Sequence, residues 1–158
     1  MASEFSNDTF PVLCDLKTLN GGWTIIHRRQ DGTEDFNRNW TEYVEGFGNL
    51  SGEFFIGLEK LHALTTQGAT QELYIILEDF EGASRYAKYG LFKIGSEKNG
   101  YNLTIGSYTG NAGDSFNTHN GYKFSTTDRN NDKSKNINCT VKYRGAWWRK
   151  SCYERRFE

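Results

Sequence analysis

The most chemically suggestive part of the sequence is a polar segment between Phe124 and Cys139, in which short oxygen-bearing side chains recur at alternate positions. These side chains belong to Asp128, Asn130, Asp132 and Ser134. Ca²⁺ takes about six to eight oxygen ligands, which a tightly curled loop supplies from such side chains and from backbone carbonyls. Asx residues also form turns without any metal. The pattern therefore leaves two interpretations open, a calcium loop and a solvated Asx-turn loop.

The segment is not an EF-hand, although its D-x-N-x-D-x-S opening matches the start of an EF-hand loop. Lys133 stands where that loop needs glycine for its sharp turn, and Cys139 stands where it needs a bidentate glutamate. No flanking helices are evident either. Lys133 and Lys135 also reduce the anionic character of the segment.

The three cysteines of the chain bear on the compartment in which it works. Cys139 and Cys152 bracket a short loop, whereas Cys14 is far away. The spacing fits no zinc pattern, because no C-x-x-C occurs and the histidines are scattered. Cys139 and Cys152 are either a local disulfide in an oxidising compartment or two buried thiols, and the spacing favours the disulfide.

Composition excludes several classes of function. The chain has 158 residues, with 19 basic and 20 acidic side chains, so it has no basic excess for binding nucleic acid or anionic lipid. No apolar run approaches the roughly 20 residues that a membrane helix needs. The spacing suggests no Ser-His-Asp or Cys-His arrangement, and Glu53 has no partner that signals acid–base chemistry. We therefore predict that the chain is not an enzyme and does not insert into membranes.

Two further features concern processing of the chain. Five Asn-x-Ser/Thr sequons predict a glycoprotein only weakly, since the motif is common by chance in an Asn-rich chain. They begin at Asn7, Asn39, Asn49, Asn102 and Asn138. The first residues lack the basic and apolar regions of a signal peptide. If the disulfide forms, we expect the chain to be a mature or excised piece of a secreted protein.

Hydrophobic patterning predicts the elements that must position these residues. Strands are predicted over 22–29, 72–80, 86–94 and 101–106, and their succession favours an antiparallel sheet. The strand over 72–80 is apolar on both faces, as a central strand would be. Helical spacing recurs in Phe36, Trp40, Val44 and Phe47, and again over 58–64, where His62 is predicted to be a structural histidine. Aromatic residues, 15 % of the chain, should form the core.

Many ordered motifs of the chain resemble the fibrinogen C-terminal domain family, which includes fibrinogens, ficolins, tachylectins, angiopoietins, tenascins and insect fibrinogen-related proteins. The motifs include Gly21-Gly22-Trp23-Thr24, Asp35-Phe36-Asn37-Arg38, Gly52-Glu53-Phe54-Phe55, Glu78-Asp79-Phe80-Glu81-Gly82, Tyr86-Ala87-Lys88-Tyr89, Asn138-Cys139 and Gly145-Ala146-Trp147-Trp148. The resemblance implies an α+β fold with a central, mostly antiparallel sheet, short helices and a loop-rich C-terminal lobe. We accordingly expect a sheet and helix subdomain over 10–109 and a calcium and ligand-pocket lobe over 110–158.

The resemblance also implies a calcium site and a disulfide. Its calcium ligands are the side chains of Asn130 and Asp132 and the backbone carbonyls near Ser134 and Asn136. The family usually has aspartate at both side-chain positions, so Asn130 predicts weaker affinity for Ca²⁺. The family's second disulfide corresponds to Cys139–Cys152, and in relatives the peptide bond before the second cysteine, here Ser151–Cys152, is often cis.

A ligand pocket next to this disulfide is implied at Tyr143, Ser151, Cys152 and Tyr153. In ficolin-like lectins an aromatic wall receives the methyl of an acetyl group, and Tyr143 suits that wall. Tyr153 departs from the histidine common at its position. Packing of both tyrosine rings against Trp147 and Trp148 is the alternative.

Family members extend beyond both ends of this chain, supplying a cysteine partner for Cys14 upstream and a last strand that returns to the sheet downstream. We therefore expect a domain truncated at both ends, which would oligomerise only through missing upstream segments.

The main hypothesis is a secreted, calcium-assisted lectin of innate immunity that binds acetylated glycans on microbial surfaces. The alternatives are a protein-binding module of a receptor ligand or matrix protein, and a truncated form with impaired binding.

Overall fold

The computed structural model of the chain describes residues 9–134, 137–150 and 152. Within these residues the architecture is α+β, with short helices beside four small antiparallel sheets. The fold class predicted from the sequence is therefore confirmed.

The N-terminal part contains two of the sheets. In the first, β1 (Leu13–Asp15) pairs with β2 (Trp23–Ile25), with a 3-10 turn over Thr18–Asn20 between them. The second has the order β3-β5-β4 and consists of β3 (His27–Arg28), β4 (Phe47–Gly48) and β5 (Phe54–Phe55). The single strand predicted over 22–29 thus divides at Ile26, so that its two halves belong to different sheets.

The first helix, α1 (Trp40–Glu45), is shorter than the spacing of its aromatic residues suggests. Asn39 and Glu42 form a capping box at its start, which satisfies backbone donors of the first turn. Gly46 ends the helix at φ 93°, and a Cβ there would collide with the Ile56 carbonyl oxygen. Phe36 and Phe47 lie outside the helix, with their ring centroids 5.0 Å apart.

The second helix, α2 (Leu58–Thr66), matches the predicted helix over 58–64 and buries Leu58 and Leu61. The Thr65 hydroxyl accepts a hydrogen bond from Ile94 N at 3.0 Å, and His62 Nδ1 lies 2.8 Å from Ile94 O. His62 is therefore a structural residue that ties the helix to the neighbouring sheet, as predicted.

That neighbouring sheet is the largest and has the order β6-β7-β8. Its strands are β6 (Gln71–Glu78), β7 (Ser84–Ile94) and β8 (Leu103–Gly110), with a 3-10 turn over Glu97–Asn99 before β8. Among the described residues β7 is the central strand and β6 is an edge strand, contrary to the sequence-based prediction. Ile76 of β6 keeps 53 % of its surface exposed, because one face of this strand is open.

A cleft of about 680 Å³ separates the edge of β6 from that of β2. Residues of both strands line it, and the ring centroids of Trp23 and Tyr74 are 5.5 Å apart. No strand in the described part of the chain pairs with either of these edges. The last strand that the family resemblance implies stays a prediction, and these are the edges at which it would find free backbone partners.

The C-terminal part holds a 3-10 helix over Phe116–His119, β9 (Phe124–Ser125), α3 (Cys139–Tyr143) and β10 (Trp147–Trp148), and β9 pairs with β10. Trp148 Nε1 donates to Tyr101 O at 2.7 Å, which joins this part to the main core.

The core is aromatic, as the composition predicts. Its buried rings are Trp40, Tyr43, Phe54, Phe55, Tyr89, Phe92, Tyr101, Phe116, Phe124 and Trp148. Over the residues that the structure describes, no helix has the length and apolar character that crossing a membrane requires.

Candidate functional site

The polar segment after β9 is curled by its own Asx side chains. Asn130 Oδ1 accepts a hydrogen bond from Asp132 N at 3.0 Å. The two carboxylate oxygens of Asp132 accept from Ser134 N at 2.9 Å and from Cys139 N at 3.0 Å. Lys133, whose charge would oppose a cation, places its Nζ 5.2 Å from the centre of the Tyr122 ring. Asn130 and Asp132 thus lie on one tight loop that their own side chains stabilise, and their role as metal ligands stays a prediction.

The oxygen atoms of this loop, which include one carboxylate, are of a type that can bind a hard cation. Each oxygen that accepts one backbone hydrogen bond retains a further lone pair. Carboxylate, amide and carbonyl oxygens are the ligands that Ca²⁺ prefers. Within the described ranges no cluster of three or more His, Cys, Asp or Glu side chains is arranged for a metal. The predicted ligand Asn136 lies outside the described residues.

Asp128, the first member of the alternating series, has a structural role instead. Its carboxylate accepts Trp40 N at the start of α1 at 3.0 Å and the Thr126 hydroxyl at 2.7 Å. Next to it, the guanidinium of Arg129 lies 3.9 Å from the centre of the Trp40 ring and donates to Glu97 at 3.1 Å. These contacts join the polar loop to α1 across 88 positions of sequence.

Replacing Asp128 by alanine should lower the free energy of unfolding by about 1–2 kcal/mol, because Trp40 N loses its charged acceptor. Asp128→Asn keeps one acceptor oxygen and should lose less. Urea unfolding followed by tryptophan fluorescence measures both changes. Equal losses for the two variants would contradict this role of Asp128.

The short helix α3 is fixed to the polar loop at its first turn. Asn138 caps the helix by accepting from Thr140 N at 3.1 Å, and the buried Thr140 hydroxyl donates to Thr126 O at 2.9 Å. The Cys139–Cys152 disulfide forms, as predicted, with 5.0 Å between the two Cα atoms. Cys14 is exposed and is not disulfide-bonded among the described residues. The cap, the Thr140 hydroxyl and the disulfide therefore hold the first turn of α3 in place.

The far end of α3 presents the predicted pocket residue Tyr143, which is half-buried, and then Arg144, which is exposed. Arg144 has a left-handed backbone, φ 45° and ψ 57°, which ends the helix. Lys142 Nζ lies 5.5 Å from the centre of the Tyr143 ring. Cys152 is buried in the disulfide. The predicted pocket residues Ser151 and Tyr153, and with them the Ser151–Cys152 peptide bond, lie outside the described residues.

Arg144 lines a cleft of about 600 Å³ whose other wall is the loop over 29–37. In this loop the guanidinium of Arg29 stacks 3.9 Å from the centre of the Phe36 ring. Glu34 is paired with Arg38 at 2.6 Å, and Asp35 accepts Asn37 N at 2.8 Å. The carboxylates of the loop therefore have partners. In the described part of the chain the side chain of Arg144 has no ion-pair partner.

Glu53 holds this loop in place, a role that the sequence analysis missed. It is only 3 % exposed, and its carboxylate accepts four backbone N–H groups at 2.6–3.2 Å. The donors are Gln30, Asp31, Gly32 and Glu34. The hydrogen bonds from Gln30 and Glu34 first, and then those from Gly32 and Asp31, lower the pKa of Glu53 to about 2. No spacing rule connects Glu53 with residues about 20 positions earlier.

The comparison with protein families matches residues 1–158 to the family described as "Fibrinogen beta and gamma chains, C-terminal globular domain". Among curated proteins, Fibrinogen C domain-containing protein 1 from Homo sapiens is 50 % identical over 149 residues, and the protein of the same name from Xenopus tropicalis is 49 % identical. Each alignment covers 91 % of this chain and 32 % of the relative. The chain thus spans about a third of the length of these relatives.

Two solved structures show the same fold at high identity. The fibrinogen-like globe domain of human ANGPTL2 has a TM-score of 0.84 and 45 % identity, over 87 % of this chain and 62 % of that one. A lamprey fibrin D-dimer, complexed with the peptide ligand Gly-His-Arg-Pro-amide, has a TM-score of 0.80 and 39 % identity. That alignment covers 87 % of this chain and 48 % of that one.

Proposed function

Since the chain belongs to the fibrinogen C-terminal domain family, whose members are non-enzymatic binding modules, we propose that it is an extracellular module that binds a protein partner. Sharing a fold does not identify a ligand, so the proposal must come from a site. The cleft between the end of α3 and the loop over 29–37 is the site that we assign to partner binding.

The position of Arg144 carries this proposal. Arg144 is exposed at the end of a helix that the Cys139–Cys152 disulfide anchors, and it lines the cleft together with Arg29 and Phe36. Arginine is enriched among residues that dominate binding energy, and its planar group pairs well with carboxylates. Arg29 stacks on Phe36 but is already paired with the buried Glu53 at 3.5 Å, so among the described residues Arg144 supplies the unpaired positive charge of the cleft. The favoured ligand is therefore a protein segment that carries an acidic side chain or a terminal carboxylate.

Two further points support a protein partner. The lamprey fibrin structure, which has the same fold, is a complex with a peptide ligand. The cleft also combines arginine and aromatic residues, which are enriched at protein interfaces.

The decisive experiment screens the full chain against an array of receptor and matrix ectodomains and then compares variants on each partner found. Arg144→Ala should weaken binding roughly tenfold or more, which is typical of a residue that dominates an interface. Alanine has a similar left-handed strain at this position, so the variant mainly removes the guanidinium. Lys93→Ala, which removes an exposed charge on β7, should bind like the original chain. Equal binding by the two variants would reject this cleft as the site.

Acetylated glycans are the second candidate ligand, and Tyr143 is the observation that favours them. Its ring is half-buried at the end of α3, beside the disulfide, where the family resemblance places an aromatic wall. If this candidate is right, the chain is retained on N-acetylglucosamine resin and eluted by free acetate. Tyr143→Ala then abolishes retention. Retention that free acetate does not reverse counts against an acetyl pocket.

We also propose that the polar loop binds Ca²⁺ through the side chains of Asn130 and Asp132 and the backbone carbonyls of Ser134 and Asn136. With only one carboxylate among these ligands, the site should be weak. Bound Ca²⁺ would neutralise the carboxylate and add order to the loop that precedes α3.

Millimolar Ca²⁺ should raise the melting temperature of the chain by a few degrees, since a ligand that binds only the folded state stabilises it. Asn130→Asp adds an anionic ligand and should enlarge the calcium-dependent shift, whereas Asp132→Asn should remove it. Differential scanning fluorimetry with Ca²⁺, Mg²⁺ and EDTA measures the shift within each variant. No calcium-dependent shift in either the original chain or Asn130→Asp would remove the metal from this proposal.

A further inference from the structure

We propose that the folded chain carries N-linked glycans on Asn39 and Asn49 and not on Asn102 or Asn138. The fifth sequon, at Asn7, lies outside the described residues. The inference rests on the proposed extracellular function, because N-linked glycans are added during secretion. A glycan is bulky and hydrophilic, so it can remain on a folded domain only where the asparagine faces solvent.

The sequon at Asn49 lies in the turn between β4 and β5. Asn49 and Ser51 are both exposed. Asn49 uses its Oδ1 to accept Ser51 N at 2.8 Å, and its backbone N and O bond to Glu53 and Gly52. The glycan would be attached to Nδ2, and these bonds do not involve that atom. The turn can therefore keep its conformation when Asn49 is glycosylated.

The sequon at Asn39 lies at the start of α1, and its Asn39 and Thr41 side chains are exposed. The capping box uses Asn39 Oδ1, which accepts Glu42 N at 2.9 Å, and Asn39 N, which donates to Glu42 Oε2 at 3.0 Å. Nδ2 again has no part in these bonds. Glycosylation at Asn39 is therefore compatible with the helix cap.

The sequon at Asn138 is partly enclosed by the fold, because Asn138 itself is half-buried. Asn138 Oδ1 accepts from Thr140 N, Val141 N and the Thr140 hydroxyl at 2.6–3.3 Å. Thr140 is fully buried, and Cys139 between the two is buried in the disulfide. The cap uses only Oδ1, as at Asn39, so the exclusion rests on burial. A glycan on the half-buried Asn138 would have to displace neighbouring residues to reach solvent.

The sequon at Asn102 is held by the largest sheet. The Asn102 carboxamide packs against the backbone of Gly95, where a Cβ would collide with Oδ1. Leu103, the next residue, is fully buried at the start of β8, and Gly95 N donates to Asn102 O at 2.9 Å. Because Asn102 is half-buried with its carboxamide against Gly95, we expect it to carry no glycan in the folded chain.

Expression of the full chain behind a secretory leader in mammalian cells tests the assignment. Peptide-N-glycosidase digestion in ¹⁸O water, followed by peptide mass spectrometry, marks each formerly glycosylated asparagine. We expect marks on Asn39 and Asn49, and none on Asn102 or Asn138 of the folded, disulfide-bonded material. Asn39→Gln and Asn49→Gln should each remove one step of the glycosidase-sensitive gel shift, and Asn102→Gln, the control, should remove none.

A mark on Asn102 or Asn138 in folded material overturns the exclusion of that residue, and an unmarked Asn39 or Asn49 overturns its assignment. Because the leader supplies secretion, an unmarked site speaks against this reading of the surface and leaves the binding proposal untouched. Failure of the binding proposal would appear instead in the Arg144→Ala comparison, which does not depend on glycans.

Discussion

Glu53→Gln should lower the melting temperature of the chain by roughly 6–12 °C, the largest effect that we expect from a single substitution. Glutamine keeps the size of the side chain but replaces one carboxylate oxygen with an amide group that donates. It therefore removes the charge that four backbone N–H groups surround, and it points a donor at some of those donors. Calorimetry or circular dichroism at neutral pH measures the change.

The same carboxylate predicts how the effect depends on pH. The pKa of Glu53 is about 2 in the folded chain, below its ordinary value of 4.5. Its stabilising contribution is therefore complete above pH 4.5 and is lost as the pH falls towards 2. The difference in melting temperature between the original chain and Glu53→Gln should shrink over that interval.

A second group, His27, also makes the stability of the chain depend on pH, over a higher range than Glu53. Its effect must be separated from that of Glu53. Burial, and after it the nearby Arg29 charge, lowers the pKa of His27 from 6.5 to about 4. Since protonation of His27 favours the unfolded chain, the free energy of unfolding decreases as the pH is lowered from 6.5 to 4. This decrease occurs in the original chain and in Glu53→Gln. Between pH 4 and 2 other carboxylates titrate as well, among them Asp15, whose pKa is lowered to about 2 by hydrogen bonds from Thr18 and Lys17. Because these groups are present in both proteins, the contribution of Glu53 is measured by the difference between the original chain and Glu53→Gln.

Glu45→Gln is the matched control, because Glu45 is exposed at the end of α1. Its melting temperature should stay close to that of the original chain. If Glu53→Gln melts like this control, or if its difference from the original chain is the same at pH 2 as at pH 7, the proposed role of Glu53 is wrong.

The Glu53 contacts could not be predicted from the sequence, whereas several local features of the fold could. Local patterns predicted α2, the strands of the largest sheet and the aromatic core, because each depends on residues a few positions apart. The Asn39–Glu42 capping box also has a local signature, a capping residue followed three positions later by glutamate, but it was not among the predictions. The hydrogen bonds of Glu53 and Asp128 join distant parts of the chain and leave no such pattern.

The error at β6 has a related cause. An apolar run such as Leu73 to Leu77 is typical of a strand covered on both faces, but it does not show which elements cover the strand or lie beside it. Among the described residues β6 borders a cleft on one side, so its apolar outer face is partly open.

For the candidate site, spacing alone left the state of Cys139 and Cys152 open, and the family resemblance identified the pair. The cleft beside Arg144 could not be predicted, because its walls are about 110 residues apart in sequence.

Removing the Cys139–Cys152 disulfide should also have a large effect. The two cysteines are 13 positions apart, and closing a loop of that length stabilises a fold by about 3 kcal/mol. The double variant C139A/C152A should therefore lose about that much free energy of unfolding, measured by urea unfolding at neutral pH. Alanine is preferred to serine because both sites are buried and would leave a hydroxyl without a partner.

The loss should begin locally, because the disulfide holds the residue that closes the polar loop. Cys139 N donates to Asp132 Oδ2, and the next residue, Thr140, anchors α3 to Thr126. In the double variant, hydrogen exchange at the backbone amides of positions 134 and 139 should accelerate more than exchange in the centre of β7. The variant C14A, which removes an exposed and unpaired thiol, is the control and should match the original chain. If the double variant unfolds at the same urea concentration as C14A, hydrogen bonds alone hold the loop and α3. The position of Arg144 at the end of α3 would then not depend on the disulfide.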